Sequence, residues 1–115
     1  MKKRFEVLYS EKVLEFLESL VEKVRDKIVY NIDKSSYVTD PELFKKLTDE
    51  IWEFRTKYNK NQYRLLAFWD KEDEELTLVV VSHGYIKKTS KVSKQEISKA
   101  EQFREKYFEM KEKNK

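Results

Sequence analysis

The sequence predicts an α+β domain in which helices pack against an antiparallel sheet. Three observations support this prediction: a short alternating segment near the N-terminus, two following stretches with helical spacing, and three alternating segments followed by a last helical one. Turn-prone residues separate the three alternating segments, as they do in a meander of adjacent strands. The expected sheet therefore contains an N-terminal strand plus a three-stranded meander, packed with two N-terminal helices and a C-terminal helix.

The first half of the chain is expected to supply one strand and two helices. Alternation over residues 5–9 predicts a strand, and Ser10 is placed to cap a helix that extends to about Ile32. Residues 40–42 combine a capping aspartate, a proline at the first helical position and an acid near the helix start, which predicts a short second helix. The apolar positions are Val13, Leu17, Leu20, Val24 and Ile28 in the first helix, and Leu43, Phe44 and Leu47 in the second.

The second half of the chain is expected to form the meander and the last helix. Its three strands cover residues 51–55, 63–69 and 76–86, separated by a polar turn at 57–61 and an acidic loop at 70–75. Residues 78–81 are apolar on both faces, so their strand is expected to be covered on both sides. Ser93 and Glu96 form a capping box for the last helix, whose tail after Met110 is expected to fray.

Composition limits the class of protein. A chain of 115 residues with 39% hydrophobic and 14% aromatic content fits one folded domain over residues 1–115. Cysteine is absent, which excludes disulfides and a thiolate nucleophile and favours a cytoplasmic location. No apolar run is long enough to cross a bilayer, so no membrane association is expected. One histidine without cysteine disfavours a zinc site, and we expect neither a metal nor a cofactor.

The last meander strand ends in polar residues. If the strand is regular, His83, Tyr85 and Lys87 lie on the same face as the apolar Val79 and Val81. That face would pass from the core to an open site along the strand. Imidazole can move a proton near neutral pH, and a tyrosine ring can stack on a base.

Two arginines are expected beside this strand end. Arg55 ends one strand and Arg64 begins the next, and an antiparallel meander brings both to the edge at which the third strand ends. Guanidinium groups bind phosphate in a bidentate way, so the assembly suits a phosphodiester. A simpler alternative remains open, in which His83 is an ordinary surface group, the lysines of residues 87–94 line a solvated loop and the arginines pair with Glu53.

Two segments, ELFKKLTDEIWEFRTKYNKNQYRLLAFWD and LVVVSHGYIKKTSKVSKQEISKAEQFREKY, resemble the phage-derived, HigB-type branch of the RelE/ParE toxin superfamily. The resemblance covers roughly residues 42–107. The matching elements are Trp52, Glu53, Phe54 and Arg55; Tyr63 and Arg64; His83, Gly84 and Tyr85; Lys87, Lys88 and Thr89; and Ala100 with Glu101. Two departures are Val92-Ser93, where the family often has threonine-proline, and Tyr85, where phenylalanine is common.

The resemblance implies a RelE/ParE-like sandwich and a toxin of a type II toxin–antitoxin system. Proteins like HigB cleave messenger RNA, usually on the ribosome, by attack of the ribose 2′-hydroxyl on the adjacent phosphate, with no metal. On this hypothesis the catalytic residues are His83, Lys87, Arg64, Arg55 and Tyr85, and the substrate-binding residues are Lys88, Lys91 and Lys57. His83 is the predicted general base; the alternative is that it only hydrogen-bonds a neighbour while a lysine or tyrosine moves the proton.

The resemblance also implies partners. These are a cognate antitoxin with a helix-turn-helix domain, similar to HigA, together with messenger RNA and the ribosome. Operator DNA would be bound only through the antitoxin complex. Two other functions remain open: ParE-like inhibition of DNA gyrase, and an inactive module that binds antitoxin and DNA as a corepressor.

Overall fold

A computed structural model gives the structure of the chain and describes residues 2–88 and 93–115. In chain order the elements of this part are β1 (Glu6–Tyr9), α1 (Glu11–Glu18), α2 (Glu22–Ser35), β2 (Phe44–Lys46), β3 (Trp52–Tyr58), β4 (Asn61–Asp70), β5 (Leu78–Lys87) and α3 (Lys94–Lys113). The five strands form one sheet in the order β1-β5-β4-β3-β2. The predicted α+β class, with helices packed on a sheet that contains an N-terminal strand and a meander, is confirmed.

The sheet is mixed, which corrects the expectation of a fully antiparallel one. Strands β3, β4 and β5 form the predicted antiparallel meander, but β1 pairs with β5 in parallel. Two helices and three strands separate β1 from β5 in sequence, so no hairpin dictates their relative direction. The pairing places Tyr9 beside Val81, and the backbone N–H of Ser10 donates to the carbonyl oxygen of Val81 at 3.2 Å.

The long first helix of the prediction is two helices. The hydroxyl of Ser10 accepts a hydrogen bond from the backbone N–H of Val13 at 3.1 Å, which confirms the predicted cap. The chain leaves helical geometry around Ser19, whose hydroxyl donates to the carbonyl oxygen of Phe16. The break was not visible in the sequence because the apolar residues of α1 and α2 face the same core and keep a helical spacing across it.

The predicted helix after Asp40 is wrong. Asp40 does accept a hydrogen bond from the backbone N–H of Glu42 at 2.9 Å, but only a turn follows, and Phe44–Lys46 is the edge strand β2. Phe44 pairs with Phe54 of β3, and their rings stack with centroids 4.1 Å apart. Burial of Phe44 in this aromatic contact outweighs the local preference for a helix.

The sheet separates two apolar layers. The layer under α1 and α2 is the larger and includes Phe5, Val13, Ile28, Phe54, Leu65, Val79 and Val81. The layer under α3 includes Ile51, Leu66, Phe68, Val80 and Ala100. Because β5 contributes side chains to both layers, its apolar run is covered on both sides, as predicted. None of the described helices is long and apolar enough to cross a membrane.

Helix α3 is held at its C-terminal end by Asp70. The carboxylate of this buried residue accepts hydrogen bonds from Tyr107 and Lys111, both at 2.7 Å. Lys111 also lies 3.0 Å from Glu72. The helix therefore continues to Lys113, past the position at which fraying was expected.

Candidate active site

A β-bulge decides which face of β5 carries His83. The register between β4 and β5 shifts at Ser82, which is an extra residue in β5. Such a bulge interrupts the alternation of side chains along the strand. His83 and Tyr85 therefore face α3, whereas Val79 and Val81 pack under α1 and α2. The predicted common face of these apolar and polar residues is wrong for this reason.

Hydrogen bonds hold the bulge in place. Ser82 is fully buried, and its hydroxyl lies 3.1 Å from the carbonyl oxygen of Leu66, to which it can donate. Its own carbonyl oxygen accepts from the hydroxyl of Ser10 at 2.8 Å. The residue that caps α1 thus also fixes the backbone next to His83.

Three adjacent rows of residues cross β3, β4 and β5 on the face toward α3. The rows are Glu53, Leu66 and His83; Arg55, Arg64 and Tyr85; and Lys57, Gln62 and Lys87. Neighbouring strands lie about 4.8 Å apart, so residues within a row are direct neighbours. The structure therefore brings the five residues predicted to be catalytic, Arg55, Arg64, His83, Tyr85 and Lys87, to one end of one face.

A buried carboxylate holds the two arginines. Glu53 is only 1% exposed, and its Oε1 lies 2.8 Å from Nε of Arg64 and 3.4 Å from Nε of Arg55. Burial lowers the pKa of the Arg64 guanidinium, and the negative charge of Glu53 opposes that effect. Arg64 also donates to the side-chain amide of Gln62. Sequence reasoning treated Glu53 only as an alternative partner and missed its place at the centre of the cluster.

His83 is largely enclosed by its neighbours. Its Nδ1 lies 3.2 Å from the hydroxyl of Ser82, and its Nε2 lies 3.5 Å from Oε2 of Glu96 on α3. Burial lowers the pKa of His83; Glu96 acts to raise it, while Lys99 and Lys12 lower it further. The net shift is downward, which favours the neutral imidazole that a general base requires.

Glu96 is a second residue whose role sequence reasoning missed. It was expected to close a capping box with Ser93, and the hydroxyl of Ser93 does accept from the backbone N–H of Gln95 at 3.2 Å. The carboxylate of Glu96, however, contacts His83 and accepts a hydrogen bond from Lys99 at 3.2 Å. Its position three residues after the cap was the only sequence signal, and that signal indicates a helix start rather than a site.

Tyr85 is held beside His83 as a protonated phenol. The two rings are stacked with centroids 6.3 Å apart and planes inclined by 27°. Burial, together with the charges of Glu53 and Glu96, raises the pKa of Tyr85 to about 12. Within residues 2–88 and 93–115, its hydroxyl and Nε2 of His83 are buried without a hydrogen-bond partner. The protonated phenol of Tyr85, which this shift favours near neutral pH, can donate a hydrogen bond.

An open cleft lies beside the arginines. It has a volume of about 270 Å³ and is lined by Glu42, Arg55, Thr56, Lys57, Gln62 and Arg64. Lys57, predicted to bind substrate, is thus part of this cleft, and the exposed Lys88 follows the end of β5 directly. Lys91, the third predicted substrate-binding lysine, and Thr89 of the motif lie outside the described residues.

Gly84 is required by packing on the opposite face of β5. A Cβ atom at this position would lie 2.5 Å from Cδ2 of Phe16 on α1. A glycine inside a strand often marks a bulge or the close approach of a ligand. Neither applies to Gly84, because the bulge is at Ser82 and the space next to Gly84 is filled by an aromatic ring.

The chain is similar to known proteins in both sequence and structure. The family model described as "Phage derived protein Gp49-like" matches residues 15–105. The chain belongs to this Gp49-like family. A mutant of the E. coli toxin RelE, solved in the free state, has a similar structure: the TM-score is 0.54 at 16% sequence identity, over 88% of this chain and 97% of that chain. A comparison with curated proteins gave no match.

These findings confirm the RelE-like fold of the Gp49-like chain. At 16% identity the structural similarity concerns the fold, and the residues of the site are not tested by it. The more specific assignment to the HigB-type branch stays a prediction.

Proposed function

We propose that this Gp49-like protein is the toxin of a type II toxin–antitoxin pair and that it cleaves messenger RNA on the ribosome without a metal. One observation supports the proposal above all others: Arg55, Arg64, His83, Tyr85 and Lys87 converge on one face at one end of the sheet. A base, a hydrogen-bond donor and several cations at a single place are the groups that phosphodiester cleavage by an internal hydroxyl requires.

The proposed reaction begins at the ribose. The 2′-hydroxyl oxygen attacks the adjacent phosphorus while neutral His83 accepts its proton. The bond between phosphorus and the 5′-oxygen of the next nucleotide then breaks, and that oxygen takes up a proton from solvent, while protonated His83 returns its proton to solvent. The products are a 2′,3′-cyclic phosphate and a 5′-hydroxyl. Arg55, Arg64 and Lys87 stabilise the additional negative charge of the phosphorane.

The geometry adds two conditions to this mechanism. Glu96 lies 3.5 Å from Nε2 of His83, so its carboxylate must move aside before a 2′-hydroxyl can reach that nitrogen. Tyr85, with its pKa raised to about 12, serves as a hydrogen-bond donor or a stacking surface. If His83 only supports α3 through Glu96, a lysine or tyrosine of these rows moves the proton instead.

The proposed function includes an antitoxin that masks this basic end of the sheet. An acidic or amphipathic segment suits the charge of Arg55, Lys57, Lys87 and Lys88. We expect the antitoxin to be encoded beside this protein, to carry a helix-turn-helix domain similar to that of HigA, and to be the part of the complex that contacts operator DNA.

The test is cleavage of a defined messenger RNA on programmed ribosomes. We expect the wild-type protein to cut the message and Lys87→Ala to cut it about 10²-fold more slowly, because one cationic donor to the transition state is lost. Lys27→Ala, which removes an exposed lysine of α2 on the other side of the sheet, is the matched control and should retain full activity. A protein that leaves the message intact and instead inhibits supercoiling by DNA gyrase would contradict the proposal and favour the ParE-like alternative.

A further inference from the structure

We propose that a second cleft, between α1 and α3, binds the single-stranded RNA that extends from the reaction site. This inference rests on the proposed function. The α1–α3 cleft has a volume of about 590 Å³, and its lining includes Lys12, Phe16, His83, Gln102, Phe103 and Lys106. Among residues 2–88 and 93–115, it shares no lining residue with the cleft beside Arg55 and Arg64. His83 lies at the boundary, because it lines the α1–α3 cleft and is one row away from Arg64.

The α1–α3 cleft has an excess of positive charge. In the part of the chain that the structure describes, Lys12, Lys99 and Lys106 line it, against one carboxylate, that of Glu15. Lys99 is already paired with Glu96 at 3.2 Å, so Lys12 and Lys106, both exposed, are the lysines best placed to meet a ligand. Cationic side chains along a groove are the usual electrostatic basis for binding a nucleic-acid backbone.

Helix α3 directs an RNA strand toward this side. Its other flank forms a separate groove, whose lining includes Glu50, Glu101, Glu105, Glu109 and Glu112. Five carboxylates in that groove face one guanidinium, that of Arg104, which already pairs with Glu50 at 3.0 Å. An RNA strand that extends from His83 along α3 is therefore repelled by the glutamates of this separate groove and attracted by the lysines of the α1–α3 cleft.

The remaining lining suits unpaired bases. Phe16 and Phe103 are half-buried on opposite walls, and aromatic rings bind unstacked bases of any sequence. The amide of Gln102 can donate to and accept from a base edge. Ser82 and Gly84 also line the cleft, beyond the point at which β1 stops pairing with β5. These features favour single-stranded RNA over an acidic peptide, which would use the lysines but not the aromatic walls.

The test measures binding to RNA that cannot be cleaved. A fluorescein-labelled 12-nucleotide 2′-O-methyl RNA lacks the proposed nucleophile, so its affinity can be measured by anisotropy at several salt concentrations, independently of catalysis. We expect Lys12→Gln with Lys106→Gln to weaken binding about tenfold near 0.15 M salt. The slope of log K against log salt should become shallower by about 1.4, since each phosphate contact contributes about 0.7.

The matched control is Lys23→Gln with Lys27→Gln, which removes the same charge from the exposed side of α2. This control should bind the RNA within about twofold of wild type. Three results would overturn the proposal: unchanged RNA binding in the cleft variant, an equal loss in the control, or loss of antitoxin capture with RNA binding intact. The last result would assign the cleft to a protein partner. A protein that binds this RNA through the cleft but cleaves no message would overturn the proposed function alone.

Discussion

At the scale of single residues, Glu53 determines the charge balance of the candidate site. Two guanidinium groups at one sheet end would repel each other, and Arg64 is almost fully buried. A carboxylate between the two arginines offsets both their mutual repulsion and the free-energy cost of burying Arg64. The cluster keeps a net positive charge, which can bind a phosphate. Glu53 touches no substrate in this account, and its role is to position the arginines.

We predict that Glu53→Gln destabilises the protein by about 3–5 kcal/mol. The substitution keeps the shape but leaves a buried arginine without its counter-charge, which is costly. Urea denaturation followed by tryptophan fluorescence would measure the change. Glu105→Gln, at an exposed position on α3, is the control and should alter stability by less than about 0.5 kcal/mol. Equal stability of the two variants would show that Glu53 does not hold the arginines.

A second residue-level prediction concerns the protonation of His83, the only histidine in the chain. A proton NMR titration of its ring should give a pKa below the ordinary 6.5, because burial disfavours the charged form. Glu96→Gln should lower the pKa further, since the carboxylate that favours the imidazolium is removed. A wild-type pKa at or above 6.5 would contradict the burial argument.

The same shift makes stability depend on pH. With a lowered pKa in the folded state, the unfolded chain binds the proton more readily. The contribution of neutral His83 to stability is therefore fully present above about pH 6.5 and is lost as the pH falls toward the folded-state pKa. His83→Gln should remove this part of the pH dependence.

The sequence predicted which residue types gather at the site, but it did not predict their partners. Arg55, Arg64 and Lys87 were identified from strand order alone, because an antiparallel meander brings those positions together. The roles of Glu53 and Glu96 depend on distances between side chains from different elements. No local pattern in the sequence encodes such distances.

At the scale of elements, the contact of α1 with β5 determines the shape of the strand next to the site. Phe16 occupies the space above Gly84, and Ser10 binds the backbone of the bulge at Ser82. Together these contacts fix the segment from which His83 projects. A disturbance of α1 should therefore reach the site on the other face of the sheet.

We predict that Gly84→Ala destabilises the protein by about 1–3 kcal/mol. Its methyl group would lie 2.5 Å from Cδ2 of Phe16, so the ring or the helix must move. Thermal or urea unfolding would measure the cost. In a Phe16→Ala background the same substitution should cost less than about 0.5 kcal/mol, because the obstructing ring is absent. An equal cost in both backgrounds would assign the glycine to another cause.

The errors of the sequence prediction also lie at this scale. Residues 40–42 resemble a helix start, yet pairing of Phe44 with Phe54 converts the following segment to an edge strand. The bulge at Ser82 left no sign in the alternation of apolar residues, and it moved His83 to the other face. In both cases contacts between distant segments outweighed a local preference.

At the scale of the whole molecule, the two faces of the sheet differ in polarity. The face under α1 and α2 is apolar over most of its length, whereas the face under α3 changes from an apolar layer to a charged end. The sequence predicted helices packed on a sheet whose last strand is covered on both sides, but it did not predict which helix covers which face. The positions of the basic residues in the strands predicted which end of the sheet is polar.

The most direct test of the central claim is single-turnover cleavage of a message that carries one 2′-deoxynucleotide on the 5′ side of the mapped cut. Attack by the 2′-hydroxyl predicts that the substituted message stays intact at that position on programmed ribosomes. It also predicts that the unmodified message yields a 2′,3′-cyclic phosphate and a 5′-hydroxyl. Cleavage of both messages at the same rate, with a 3′-hydroxyl and a 5′-phosphate as the new ends, would contradict the account.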